Sequence, residues 1–387
     1  MGCLCLDEGL WGELGRVYAG GCLGLYAGAV CSPPRRYYFR VNRLRVDPGM
    51  VLDEMRAEGL RVYRDEFLEE ALWMPVEGPF RVPGDAACRV FVDKYTAESV
   101  MLGADVYAPG VVGVDGDCRP GGEAVVVHEG FVAGFGRLSG CFEEALRRGR
   151  GVVVVVEASR YQVPSLRGTR WFREGLVYEQ SLPGMVASRI LGPEPGSLVV
   201  DMCAAPGGKT GHLYELCGGR CRVYAFDHSR RRVGRLRETL ERLGHRGVVV
   251  YRADSRYLDV DYPELLGRVD YVMLDPPCSA LGVMPKLYDR KRLGDVEALA
   301  EYQRQFLKVA WRLLRPGGVL VYSTCTVTAL ENEDNIRWAV EELGFVVEDA
   351  WWPGASRGLL PGTLRYHPHV QGVTGYFIAR LRKPLGV

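Results

Sequence analysis

A doubly wound α/β fold, joined to a small β-barrel and a short mixed α+β segment at its N-terminus, is what this 387-residue sequence predicts. Three observations carry the prediction. From about Ser159 to the end, short apolar runs alternate repeatedly with helical patterns. Between Arg89 and about Glu157 the chain instead shows brief β-like runs separated by glycine. Acidic and thiol residues follow the later apolar runs directly, where open parallel sheets collect their ligands.

The first segment, 1–84, has helical stretches expected on both sides of Ser32-Pro33-Pro34. Alternation from Tyr37 to Val46 reads as a strand, and Met50 to Gly59 as a helix with Pro48 near its start. The second, 85–158, holds runs at Arg89 to Val92, Val111 to Val114, Glu123 to His128, Phe131 to Phe135 and Val152 to Val156. One short helical turn, Glu98 to Leu102, interrupts them, and the whole fits a compact barrel. In the third, 159–387, strands are expected at Leu198 to Asp201, Arg222 to Phe226, Val248 to Tyr251, Val269 to Leu274 and Val319 to Tyr322. Helices should cover Thr210 to Leu216, Arg230 to Leu243, Val296 to Leu314 and Asn332 to Leu343. Gly375 to Leu381 gives a last strand, antiparallel at the sheet edge.

With 47% hydrophobic and 25% charged residues the chain can bury a large core, and a net charge of +1 neither requires nor excludes a nucleic-acid partner. Asparagine occurs only at positions 42, 332 and 335, which is compatible with a hot-living source. Twelve cysteines lack the regular framework of a small secreted domain. Asp7 and Glu8 stand where a signal peptide would carry positive charge, and Val17 to Cys31 is too short to span a bilayer. A cytoplasmic protein is expected, with no membrane partner. In a thermophile, Cys217 with Cys221 or Cys3 with Cys5 would be the pairs to form disulfides. No second pair stands at a zinc-ligand spacing, so no metal is expected.

Leu198-Val-Val-Asp201 feeds Met-Cys203-Ala204-Ala205-Pro206-Gly207-Gly208-Lys209-Thr, a strand, a glycine turn and a helix start. Such a turn brings backbone close to a ligand and offers free N–H groups to a phosphate or a carboxylate. It matches neither the dinucleotide nor the P-loop spacing. Asp227 closes the next strand, where an acid accepts ribose hydroxyls, and Asp254 follows the third, where it could receive an adenine amino group. Acids at three strand ends, Asp227, Asp254 and Asp275, suit a cationic nucleoside cofactor such as S-adenosylmethionine. Helix capping is the bland reading of each one taken singly.

Cys278 ends Leu-Asp275-Pro276-Pro277-Cys278, and Cys325 ends Tyr322-Ser-Thr-Cys325. Both thiols should face one crevice. A thiolate adds to C6 of a pyrimidine and makes C5 carbanion-like; after C5 takes a methyl group, a base must remove its proton so that the thiol can leave. Two thiols fit these two tasks. Asp275 could hydrogen-bond the N3 and N4 edge of a cytosine, and Lys209 could lower a thiol pKa. Either cysteine alone could equally be inert packing. The residues do not say which thiol attacks.

These motifs resemble the Nop/Sun family of RNA cytosine-5 methyltransferases, in the loop Cys203 to Lys209, in Asp275-Pro-Pro-Cys-Ser279, and in Tyr322-Ser-Thr-Cys-Thr326. The resemblance extends to Gln180-Ser-Leu-Pro-Gly and to Glu331-Asn-Glu333. It implies that Cys325 is the nucleophile and that Cys278 promotes release. It also implies a Rossmann-like S-adenosylmethionine-dependent domain, with Arg232 trailing the ribose acid. The β-rich middle, and Met101 to Val111 above all, resembles a PUA domain. That order of domains looks like the tRNA-modifying branch, which implies tRNA as partner and cytidine 72 of the acceptor stem as target; separately, a monomer is expected. The same chemistry on ribosomal RNA is one alternative; a non-catalytic RNA chaperone is another.

Seven arginines and one acid lie between Arg147 and Arg173, with aromatic residues among them. Arg160, Arg167, Arg170, Arg173 and Trp171 are therefore candidate RNA contacts, against the alternative of a solvated joint. The arginine-rich helix after Ser229 reads as an ordinary charged face, and His367 and His369 as structural or surface residues.

Overall fold

The computed structural model describes residues 3–386. Its largest sheet has nine strands. Val248–Arg252, Arg222–Asp227, Leu198–Asp201, Val269–Leu274 and Leu314–Thr324 lie side by side in that order, all parallel. All but the outermost of these, Val248–Arg252, are apolar and mostly buried on both faces, because helices cover each side. On one face Val200 joins the core that holds Phe306, Leu307 and Ala310 of the long Leu293–Leu313 helix. On the other, Val199 joins Met185, Val186 and Leu213. The chain moves outward from Leu198–Asp201 and then returns to its other side at Val269–Leu274. That reversal is the switch point at which an α/β sheet opens a crevice.

The last strand, Tyr376–Arg382, does pair antiparallel with Leu314–Thr324, but it is not the edge. Val346–Glu348 and Leu364–Tyr366 pair along its other side, and Ser356–Arg357 follows Leu364–Tyr366 outward. The final strand is thus interior, which accounts for its nearly continuous burial.

Six strands form the barrel, in the order Val106–Tyr107, Val152–Ser159, Phe131–Leu138, Glu123–His128, Cys88–Val92, Val111–Gly116. Val90, Val126, Ala133 and Val154 fill its core, and a Cys88–Cys118 disulfide ties one end. The helix expected at Glu98 to Leu102 begins earlier, at Lys94, where Asp93 caps it.

A third sheet pairs Arg36–Val41 with Ala71–Pro75, which also pairs with Tyr63–Arg64. Its fourth strand is Val177–Glu179, from beyond the barrel. Leu166, Trp171 and Val177 join Phe39, Val51 and Met55 in its core. A boundary at 159 therefore cuts through this unit, since the segment after the barrel returns to complete it. Both early helices, Glu8–Gly15 and Cys22–Ala29, precede Pro33 instead of flanking it, and they pack on Leu281, Val296 and Val327 of the largest unit. Cys3 is bonded to Cys31 and not to Cys5, because the second helix brings Cys31 back beside it; Cys217–Cys221 is also bonded. Among the described residues no helix is long and apolar enough to cross a membrane.

A buried polar cluster joins the third sheet to the largest one. His212 Nε2 lies 2.8 Å from Glu70 Oε1, and Arg189 donates to both Glu70 oxygens. Burial, opposed by Glu70, lowers His212 to about 4, and His367 falls to about 4 through burial as well. The groups facing His212 are Glu70, Arg40 and Glu215. The unfolded chain binds protons on these imidazoles near pH 6.5, whereas the folded one stays neutral, so stability is full above that pH and is lost as pH falls toward 4. Each imidazole contributes of order 3 kcal/mol to the loss. Thermal unfolding followed against pH should show a plateau above pH 7 and a fall below 6.5. His212→Gln should remove its share of that fall.

Candidate active site

The site is built where the strand order reverses. Leu198–Asp201 ends in the turn that launches the Gly208–Leu216 helix. Gly207 takes φ 112°, and a Cβ there would sit 2.9 Å from Leu236, so both backbone and packing demand glycine. No side chain caps the helix. Its start borders a cavity of about 210 Å³ lined by Gln180, Cys203, Ala204, Pro206, Lys209 and Asp275, among others. Asp201, which sequence reasoning did not single out, is buried behind the turn and accepts hydrogen bonds from Thr210 Oγ1 (2.7 Å) and Cys203 N (3.3 Å). Burial lifts its pKa to about 6. It shapes the loop from within.

Asp227 is buried at the next strand end, 3.3 Å from the Arg232 guanidinium, which also donates to Ala205 O at 2.7 Å. Arg232 therefore links the acid to the glycine turn. Asp254 caps the turn Ser255–Tyr257 and pairs with Arg256 at 2.6 Å, so the capping role foreseen as its bland reading is real. It nonetheless lines, with Cys203, Asp227, Arg232 and Pro277, a second and narrower cleft beside the first. A buried acid for ribose hydroxyls, an uncapped helix start for a carboxylate and further acids for a cationic centre fit S-adenosylmethionine.

Cys278 and Cys325 come together, with Sγ atoms 3.4 Å apart. Parallel pairing sets this: Leu274 stands opposite Tyr322, so the residues just past each strand emerge side by side. Lys209 Nζ is 2.5 Å from Asp275 Oδ2, while Asp275 Oδ1 accepts from Ser323 Oγ at 3.1 Å and Tyr376 O–H at 3.2 Å. Burial works against the charged form of Lys209, but Asp275 outweighs it and the net shift is upward. The Cys278 hydrogen bond draws Cys325 below the usual thiol value, and Lys209 adds to the pull against burial and Asp275. The same bond, burial and the nearby Glu331 and Asp275 charges push Cys278 well above it.

Glu331 is a further part that sequence reasoning left without a role. It is fully buried and accepts from Ser279 N (2.8 Å), Ser279 Oγ (2.5 Å), Thr328 Oγ1 (2.9 Å) and Gln303 Nε2 (3.0 Å). It fastens the residue after Cys278 to the segment after Cys325. A buried acid with four donors leaves no pattern in a single sequence.

The arginine-rich segment divides. Arg160, Arg167 and Arg173 are exposed, although Arg167 pairs with Glu179 at 3.2 Å. Arg170 is half-exposed and bound to Glu54 at 2.8 Å. Trp171 is not a stacking platform: it is 1% exposed in the core of the third sheet, and its indole N–H donates to Glu54 Oε2 at 3.0 Å. Trp171→Ala should accordingly cost about 3–5 kcal/mol of stability in denaturant unfolding, with RNA affinity of the folded fraction unchanged.

A family model for the 16S rRNA methyltransferase RsmB/F matches residues 188–382, and one for the PUA domain matches 88–159. The chain belongs to the RsmB/F (Nop/Sun) family of RNA cytosine-5 methyltransferases, enzymes that use S-adenosylmethionine. Among its relatives, the tRNA (cytosine(72)-C(5))-methyltransferase of Pyrococcus horikoshii is 38% identical over 91% of this chain and 90% of its own. The crystal structure of NSun6 from P. horikoshii with SFG, an S-adenosylmethionine analogue, superposes with a TM-score of 0.88 at 35% identity, covering 98% of both chains. Ribosomal RNA small subunit methyltransferase B of Vibrio cholerae is 37% identical, but over only 55% of this chain and 47% of its own.

Proposed function

We propose that this enzyme forms 5-methylcytidine at position 72 in the acceptor stem of tRNA. The adjacency of Cys278 and Cys325, 3.4 Å apart beside the Lys209–Asp275 pair, carries the chemical reading. Cys325, the thiol with the lowered pKa, adds to C6 of the cytosine while Asp275 holds the N3 and N4 edge. Addition opens the C5–C6 double bond and makes C5 nucleophilic. Bound S-adenosylmethionine supplies an electrophilic methyl group. Cys278, having passed its own thiol proton to solvent once Cys325 has added to C6, is then a strong thiolate base and takes the C5 proton; the double bond re-forms and the C6–S bond breaks. Cys203, Ala204, Ala205, Pro206, Gly207, Gly208, Lys209, Asp227, Arg232, Asp254 and Asp275 hold the cofactor.

The similarity to the C72 enzyme runs along nearly the whole chain, including the PUA region, which supports tRNA over ribosomal RNA. The ribosomal RNA enzyme of V. cholerae resembles about half of it. In this reading the barrel within 85–158 and the exposed Arg160, Arg167 and Arg173 hold RNA, and the protein works as a cytoplasmic monomer. Transfer of labelled methyl groups to unmodified tRNA transcripts tests the assignment. Label should enter a C72 transcript and be lost from the same transcript carrying U72. Labelling of ribosomal RNA alone would overturn it.

A further inference from the structure

Arg40 belongs to the Arg36–Val41 strand of the third sheet, far along the chain from the catalytic motifs, and it is fully buried. Its Nε and Nη2 donate to both Glu215 oxygens at 2.9 Å. Its Nη1 donates to Gly208 O at 2.8 Å and to Gln180 Oε1. One guanidinium thus grips three parts of the methyltransferase unit: the cofactor helix through Glu215, the glycine turn through Gly208, and the segment entering the unit through Gln180. The forked geometry suits arginine alone, because a lysine ammonium could not hold two carboxylate oxygens and reach two further carbonyls.

The Gln180 contact has a directional consequence. Arginine only donates, so the amide oxygen must face Arg40 and the amide nitrogen must face away. That nitrogen is buried and, among the described residues, has no hydrogen-bond partner. Gln180 lines the 210 Å³ cavity with Lys209 and Asp275, and also a neighbouring cavity of about 220 Å³ with Arg36, Tyr37 and Ser181. The nitrogen is sealed from both cavities, so what Arg40 fixes is the wall that Gln180 presents to them. The adjoining end of the strand is equally fixed, since Asn42 Nδ2 donates to Gly175 O (3.1 Å) and Leu243 O (2.9 Å).

We propose that Arg40 is a positioning residue for methyl transfer, setting the Gly208 turn and directing the Gln180 amide so that the N-terminal sheet forms part of the cofactor site. The proposal rests on the reading of this cavity as the S-adenosylmethionine site, not on which RNA is methylated. Binding of S-adenosylhomocysteine to Arg40→Lys, Gln180→Leu and the double variant, measured by calorimetry beside melting curves and RNA KM values, tests it. Arg40→Lys and Gln180→Leu should each weaken binding about tenfold or more, the scale of one charge-assisted or newly unpaired hydrogen bond. RNA KM should change less than threefold. The double variant should bind more weakly than Gln180→Leu alone, because Arg40 also holds the Gly208 carbonyl directly. A purely structural Arg40 would lower the melting temperature and leave cofactor affinity within twofold, which would overturn the proposal. Should Arg40→Lys fail to fold, unchanged binding by Gln180→Leu overturns it equally. Wild-type protein that does not bind S-adenosylhomocysteine at all would sink the cofactor reading itself, a separate outcome.

Discussion

Cys278→Ala is expected to leave a covalent protein–RNA band on a denaturing gel, while Cys325→Ala yields neither band nor methylated product. The two thiols touch, but their surroundings differ. The hydrogen bond from Cys278 draws Cys325 down and the Lys209 charge adds to that pull, while the Glu331 and Asp275 charges raise both thiols. The more readily ionised thiol attacks, and the less acidic one, once ionised, is the better base. Loss of Cys325 should cut turnover by about 10⁴-fold or more, the scale seen when a covalent nucleophile is removed. Loss of Cys278 should spare addition and stall release. A band that builds up in Cys325→Ala instead would mean that the roles are exchanged.

Asp275→Asn should lower kcat by about 10²–10⁴-fold, the usual share of an acid–base group. The carboxylate is held by Lys209, Ser323 and Tyr376, and an amide cannot replace its charge. Asp275 also raises the Cys325 pKa, so its removal makes the nucleophile easier to ionise. The acid limb of the pH–rate profile should therefore stay in place or move to lower pH even as the rate falls. A limb that moves to higher pH would show that Asp275 activates the thiol and does not act on the base. Pre-steady-state adduct formation in a Cys278→Ala background would place the loss before or at addition.

The sheet was readable because its strands are apolar on both faces and each ends in a residue with chemistry: Asp201, Asp227, Asp254, Asp275 and Cys325 follow or close their runs. Parallel pairing then brings the motif residues together without further information. Other parts depend on contacts far apart in the chain. Tyr376–Arg382 reads as an edge because Leu364–Tyr366 and Ser356–Arg357 are too short to show as strands on their own. Trp171 among arginines looks alike whether it faces RNA or a core; only its return to the Arg36–Val41 sheet decides. Arg40 lies in an alternating strand and would pass for a solvent-facing charge. Cys31 lies 28 residues from Cys3, a pairing that needs two packed helices to be visible.

The chain leaves the third sheet, builds the barrel and comes back to the same place. Glu77 and Gln162 exchange backbone hydrogen bonds at 3.1 and 3.0 Å, and Phe80 N donates to Arg160 O at 2.7 Å. Departure and re-entry therefore run side by side, like the two ends of a cassette spliced into a host gene. Such an arrangement lets a whole module be gained, lost or exchanged in evolution without disturbing the host's topology. A short turn bridging residues near 77 and 162 would give a protein with all four strands of the sheet and the entire methyltransferase unit but no barrel. The same join offers a natural port for grafting a different RNA-reading module onto an unchanged chemical engine.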